Sequence, residues 1–158
     1  MSFSEEIRLA KSSDAVRIGE MSRDIIELGL GWSWTPSRVI REINEKSSNV
    51  IVTLEGNEVI AFAIMKYLDG EARLNLFGVH PNHRRKGVGT RMISWLEKTA
   101  LNNGNSVVYL EVRLRNQGAR EFYKCLGYQE VQHMPGYYQG RETAVRMAHD
   151  LWSDISPT

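Results

Sequence analysis

Cysteine is almost missing: Cys125 is the only one in 158 residues. That excludes an intramolecular disulfide and a multi-cysteine zinc site, and it fits a reducing compartment. Long apolar runs are missing too. No stretch approaches the roughly 20 residues needed to cross a bilayer, and the opening "MSFSEEIRLA" has neither the basic region nor the apolar run of a signal peptide. A cytoplasmic protein with no membrane partner is expected. Net charge is nearly absent, since 20 basic against 19 acidic residues leave +1, so no domain-wide attraction to nucleic acid is expected either. At 42% hydrophobic and 25% charged residues the composition is that of an ordinary globular protein. The length suits one domain, residues 1–158, with a core of its own.

What is there is a regular alternation of elements. Residues 5–10 read as a strand. Asp14 can cap a helix carrying Ile18, Met21, Ile25 and Leu28 at helical spacing, and the "GLG" at 29–31 ends it. Thr35 as N-cap with Pro36 behind it starts a second helix with Val39, Ile40 and Ile43 on one face. "NVIVTLE", "EVIAFAIMKYL" and "ARLNLFGV", separated by "EGNE" and "LDGE", predict an antiparallel meander. A helix over about 87–103, with Val88, Met92, Trp95, Leu96 and Thr99 on one face, then leads into the strand "SVVYLEV", which implies a parallel crossover. Asn116 can cap a short helix ending at Gly127. "YQEVQHM" and "ETAVRMAHDL" predict a closing pair of strands around a loop "PGYYQGR".

The densest basic site is "HPNHRRKGVG" at 80–89, where three cations and two glycines stand in front of a helix. A helix N-terminus offers unpaired amides and partial positive charge, and glycine lets an anion approach the backbone. Arg84, Arg85 and Lys86 would add charge-assisted contacts of roughly 1.5–3 kcal/mol each. No P-loop run occurs in the chain, and a dinucleotide fingerprint fails because Met92 stands where its third glycine belongs. A basic loop without a ligand remains the plain alternative, and a nucleic-acid patch lacks interleaved aromatics. The run Arg84-x-x-Gly87-x-Gly89, after a strand and Pro81, resembles the coenzyme A signature of the GNAT superfamily of N-acetyltransferases. That resemblance implies cofactor contacts along Arg84, Arg85, Lys86, Gly87, Val88, Gly89 and Thr90.

Downstream, Leu110-Glu111-Val112-Arg113, Asn116, Ala119, Phe122-Tyr123 and Gly127-Tyr128 resemble the corresponding run of the RimI-type ribosomal-protein alanine N-acetyltransferases. The element order agrees with the GNAT fold. The fold implied is α/β, a mixed and mostly antiparallel sheet of about seven strands with helices on both faces, ordered β-α-α-β-β-β-α-β-α-β-β. The resemblance implies acetyl-CoA as cosubstrate and a primary amine as acceptor: a peptide or protein N-terminus, or alternatively a small amine. A GNAT-like module that binds acyl-CoA without chemistry is the reading from another class, and both monomer and homodimer remain open.

Roles follow by the same resemblance. Backbone amides near Phe77 to Val79 would hold the acetyl carbonyl and pantetheine arm, with Gly78 fitting a locally irregular strand. Glu111 would be the general base. Without the motif, the same carboxylate reads as a solvated strand side chain paired with Arg113 or Arg73. Tyr123, seven residues or about two helical turns after Asn116, would protonate the departing thiolate, while Asn116 would hydrogen-bond the pantetheine. Tyr137-Tyr138 resembles paired tyrosines that cover the first residues of a peptide, and Trp34-Thr35 resembles a Trp-Ser element on the opposite wall. Cys125 reads as a buried thiol. Trp95 and the methionines at helical spacing read as core. His80 and His83, with no third ligand nearby, predict no metal.

Overall fold

The computed structural model describes residues 5–153. Among these, seven strands form one mixed sheet in the order β1-β2-β3-β4-β5-β7-β6. The strands are β1 (Glu5–Leu9), β2 (Ser48–Glu55), β3 (Glu58–Tyr67), β4 (Glu71–Val79), β5 (Val107–Arg113), β6 (Gln129–Tyr138) and β7 (Glu142–Asp150). The helices are α1 (Ala15–Met21), α2 (Pro36–Ile43), α3 (Val88–Asn102) and α4 (Gln117–Cys125). The order of elements along the chain is the one expected from the sequence, β-α-α-β-β-β-α-β-α-β-β. The chain divides into two compact units: residues up to Lys66 together with Leu76–Leu96, and Tyr67–Asn75 together with Glu97 onward.

In the first unit β1 pairs with β2 and β2 with β3, both antiparallel. The turn between β2 and β3 is the two-residue hairpin expected from "EGNE", with Glu55 opposite Glu58. Val59 to Met65 are all buried, as expected for a central strand covered on both faces. Val59, Phe62 and Ile64 among them pack in a core with Ile18, Met21, Trp34, Val39 and Leu76. Gly78 follows from that packing: a Cβ there would lie 2.7 Å from the Phe62 ring and 3.1 Å from Ile26. Its φ is not in the left-handed region, so close approach explains this glycine better than strand irregularity does.

Three local expectations need correction in this unit. The first helix is α only to Met21 and continues as a π-helical turn over Ser22–Ile26. Helical structure ends at Ile26, so Leu28 falls in the following turn and is exposed, while half-buried Ile25 packs against the core. Asp14 precedes α1 but makes no side-chain cap; its carboxylate takes the Arg8 guanidinium at 2.8 Å and the Lys11 amide at 2.7 Å. Ile40 lies at the exposed edge of α2, whereas Thr35 caps that helix as expected, accepting from the Arg38 amide.

In the second unit β5 is central. Its parallel ladder with β4 runs from Glu71–Val107 to Leu74–Leu110, which is the crossover read from the sequence. Its antiparallel ladder with β7 runs from Val107–Asp150 to Arg113–Ala144. Val108, Leu110 and Val112 are buried, while Tyr109, Glu111 and Arg113 alternate onto the more open face. Asn116 caps α4 through its Oδ1, which accepts from the Ala119 amide at 3.1 Å. β6 continues through Pro135–Tyr138, so the tyrosines expected in a loop stand at a strand end, beyond a register shift between Met134 and Tyr138. Cys125, expected buried, is exposed at the end of α4. Tyr123 and Tyr128 fill the buried side instead. Trp95 is only half-buried, while Met92 and Leu96 on its helix are core.

Arg120 ties α4 to β6. It grips Glu130 with Nε at 2.8 Å and Nη2 at 3.1 Å, and its Nη1 donates to the Leu114 carbonyl at 2.8 Å. Lys124 adds a contact at 3.3 Å. These donors, Arg120 foremost, hold the Glu130 carboxyl down at about 2. A depressed folded value means the pairing stabilises above the ordinary carboxylate range and is lost as pH falls towards 2. The Tm difference between the parent and Glu130→Gln should therefore be positive at pH 6 and shrink towards zero between pH 4.5 and pH 2. A difference independent of pH would contradict the pairing.

Candidate active site

The first unit carries the basic turn. β4 ends at Val79, a 3-10 turn covers Pro81–His83, and α3 begins at Val88. The His80 amide donates to the Ile60 carbonyl at 2.8 Å, which fixes the turn to β3. Arg84 folds back, its Nε donating to the Val79 carbonyl at 3.1 Å. Arg85 takes the left-handed conformation at φ 65°, and Gly87 follows at φ 80°. Glycine is favoured at 87, because the left-handed backbone is costly for other residues, and a Cβ there would also push aside the tip of Arg91, whose Nη1 would lie 2.9 Å away. That same Nη1 donates to the Lys86 carbonyl at 3.3 Å, and Nη2 of Arg91 is ion-paired with Glu5.

The turn is thus held from both sides by arginines, and only one of them was singled out from the sequence. Arg84 braces the backbone through its Nε, and Arg84, Arg85 and Lys86 are all exposed. Val88 and Gly89 are buried in the first turn of α3, and Thr90 is exposed. What the arrangement presents is a helix N-terminus with three exposed cations, one of them tied to the backbone, beside a glycine that leaves its backbone open.

The same unit holds a buried carboxylate with no local sequence signal. Glu27, just after the π-helical turn, accepts from the Ser22 hydroxyl at 2.9 Å, the Ser33 amide at 2.7 Å and the Trp34 amide at 3.2 Å. It thereby closes the 28–34 segment into a loop with satisfied donors. Trp34, expected on a substrate wall, is 8% exposed and belongs to the core, with the Arg38 guanidinium 3.7 Å from its ring centroid. Trp32 is the more exposed indole. Its N–H donates to the Gly19 carbonyl at 3.0 Å, and Arg23 lies 5.1 Å from its ring.

The second unit carries the acid–base candidates. Glu111 stands directly opposite Arg146 in the β5–β7 ladder. Its Oε2 accepts from Arg146 Nε at 3.2 Å, and its Oε1 accepts from the Tyr137 hydroxyl at 3.2 Å. The partners expected for a bland surface carboxylate are engaged elsewhere. Arg113 lies 3.3 Å from Glu142; Arg73 lies 3.3 Å from Glu71 and 5.6 Å from the Tyr109 ring. Arg146 itself offered no local sequence signal, because the pairing depends on cross-strand register.

Three tyrosines surround this carboxylate or neighbour one another. Tyr137 is exposed, and its ring packs edge-on against half-buried Tyr138 at 5.0 Å. Burial, then the nearby Glu111 charge, raises the Tyr137 hydroxyl above its ordinary value; Tyr138 is raised by burial first and then by Tyr137. Tyr123 is buried against Tyr128, with ring centroids 5.6 Å apart. Burial and then Tyr138 push its hydroxyl well up, so it stays a proton-bearing phenol across the physiological range. Among the described residues no group of three or more His, Cys, Asp or Glu side chains is arranged to hold a metal ion. None of their helices is long and apolar enough to cross a membrane.

Comparison with known proteins agrees with these features. Residues 20–128 match the family model for the acetyltransferase (GNAT) family. The ribosomal protein bS18-alanine N-acetyltransferase of Escherichia coli strain K12 is 31% identical over 118 residues, which cover 73% of this chain and 79% of that protein. The crystal structure of the ribosomal-protein-S18-alanine N-acetyltransferase from Escherichia coli superposes with a TM-score of 0.81 at 23% identity, covering 94% of each chain. The PaiA N-acetyltransferase from Thermoplasma acidophilum, in complex with coenzyme A, superposes with a TM-score of 0.79 at 17% identity, covering 93% of this chain and 99% of that one.

The two indoles should separate on substitution. Trp34→Ala empties a core site and should cost about 3–5 kcal/mol, whereas Trp32→Ala should cost about 1 kcal/mol or less, the loss of one hydrogen bond and a partly exposed ring. Denaturant unfolding of both variants checks this; equal losses would contradict the different burial of the two rings.

Proposed function

We propose that this chain, which belongs to the acetyltransferase (GNAT) family and is an acetyl-CoA-dependent acyltransferase, acetylates the α-amine at a protein N-terminus. The reading treats residues 1–158 as one N-acetyltransferase domain, supported by a family match that runs through parts of both compact units. The observation that carries it is the anchored carboxylate of Glu111 beside the Tyr137-Tyr138 pair.

The basic turn suits the pyrophosphate of coenzyme A. The amides of Val88, Gly89 and Thr90 would point at the phosphates, Gly87 lets them approach, and Arg85 and Lys86 supply charge. Arg84 serves as the brace that keeps the turn in shape. Backbone amides of Phe77 and Val79 would hold the acetyl carbonyl and pantetheine arm. Asn116, whose Oδ1 is occupied by the α4 cap, has its Nδ2 left to donate to that arm.

Bound acetyl-CoA supplies an acetyl thioester activated for attack by an amine. Glu111 takes the proton of the attacking amine, directly or through one water. Its two oxygens each accept one anchoring bond, and a carboxylate has about four acceptor sites, so capacity for that proton remains. An α-amine titrates near 7.7–8 and a lysine near 10.4, so the neutral nucleophile is far more abundant at an N-terminus. Tyr123 gives its phenolic proton to the leaving sulfur, a role suited to a buried tyrosine that keeps its proton. Tyr137 and Tyr138 would cover the first residues of the acceptor. Trp34 supports the 28–34 loop from the core, and Trp32 is the indole that loop exposes.

Glu111→Gln and Tyr123→Phe should each lower kcat about 10²-fold or more while coenzyme A affinity stays near that of the parent. Steady-state thiol release with an N-terminal peptide, together with titration of coenzyme A, checks both. Near-parent turnover in both variants would remove the assignments, and turnover with small amines alone would move the acceptor.

A further inference from the structure

The carboxylate of Glu111 is not simply exposed on β5; it is clamped. We propose that Arg146 on β7, together with the hydroxyl of Tyr137 on β6, is a positioning pair that sets the orientation of Glu111 for proton abstraction. The proposal rests on the assignment of Glu111 as the base.

Register makes the clamp. Glu111 and Arg146 are directly opposed in the β5–β7 ladder, where Cβ atoms lie about 4.5–5.5 Å apart and opposite charges meet. The β6–β7 ladder brings Tyr138 opposite Glu142, and its neighbour Tyr137 reaches across to β5. One anchor holds each oxygen, Arg146 Nε on Oε2 and Tyr137 Oη on Oε1, both at 3.2 Å. A carboxylate fixed at only one oxygen can still swing about that contact, whereas fixing both sets its plane.

The remaining charged and titratable groups on this face do not compete for the role. Arg113, two residues along β5, is taken by Glu142, which Arg115 also contacts at 3.0 Å. Tyr138 packs against Tyr137, and Arg73 on β4 is placed over Tyr109. Arg146 contacts Glu111 through a single N–H rather than a bidentate fork, so the contact needs a cation in reach and not guanidinium geometry. Both side chains are partly covered, 24% exposed for Arg146 and 17% for Glu111, which makes the contact more persistent than a fully solvated ion pair.

The test is a pair of double-mutant cycles on the full chain, with an N-terminal peptide and acetyl-CoA as substrates. Arg146→Gln and Tyr137→Phe should each lower kcat roughly tenfold or more, with coenzyme A affinity within about twofold of the parent in both and the acceptor KM likewise unchanged for Arg146→Gln. Arg146→Lys should recover most of the loss. In a Glu111→Gln background both substitutions should change the residual kcat by less than about twofold, because they act through the group already removed. Unchanged kcat in either single variant overturns the clamp, as does a loss that multiplies undiminished in the Glu111→Gln background. Should Arg146→Gln fail to fold, Tyr137→Phe decides alone, since it keeps the exposed ring and removes only the hydroxyl. If Glu111→Gln itself keeps parental turnover, the base assignment fails; if only the Arg146 and Tyr137 variants keep it, the inference fails and the base assignment stands.

Discussion

The register of β5 is the constraint on which the proposed acid–base chemistry depends. Val108, Leu110 and Val112 are buried, and they hold the strand in one alignment with β4 and β7. A slip of one residue would turn Glu111 inward and bring three apolar side chains to the polar face. Burial of roughly 1.5–3 kcal/mol per large apolar side chain resists that slip. The orientation of a charged group is thus fixed by its uncharged neighbours. The same frame sets Arg146 opposite Glu111 and lets Tyr137 reach it.

The rest of the second unit extends this principle to the proposed proton donor. Tyr123 sits on a nine-residue helix, too short to be stable by itself in water. Its ends are secured by specific contacts: the Asn116 cap at the start, and the grip of Arg120 and Lys124 on Glu130 further along. Burial beside Tyr128 then keeps the Tyr123 hydroxyl protonated. In the first unit the precision lies in the backbone. Left-handed conformations at Arg85 and Gly87, with Arg84 and Arg91 bonded to backbone carbonyls, shape a turn whose amides would otherwise be free to rearrange.

Much of this was legible in the sequence, and the remainder has a common physical cause. Strand alternation, the "EGNE" hairpin, the Thr35 and Asn116 caps and the glycine turn are local signals, and each agrees with the structure. The family resemblance agrees with the match over residues 20–128. What escaped notice depends on residues distant in sequence. The Glu111–Arg146 pair spans 35 positions, and the Glu27 carboxylate gathers donors from Ser22, Ser33 and Trp34 only after a π-helical turn brings them together. Helical structure ends with that turn at Ile26, which leaves Leu28 outside the helix expected to carry it. Trp34 packs in the core and Cys125 stands exposed, because a short helix or loop has too few apolar positions to mark which of its sides faces the core.

The central claim is that the acetyl group goes to an α-amine. Its most direct test is to incubate the protein and acetyl-CoA with a peptide that carries both a free N-terminus and an internal lysine, and to locate the acetyl group by fragmentation mass spectrometry. Acetyl on the first residue, with the lysine unmodified, is the predicted result. Acetyl on the lysine side chain, or no acetylated peptide while small amines are consumed, would contradict it.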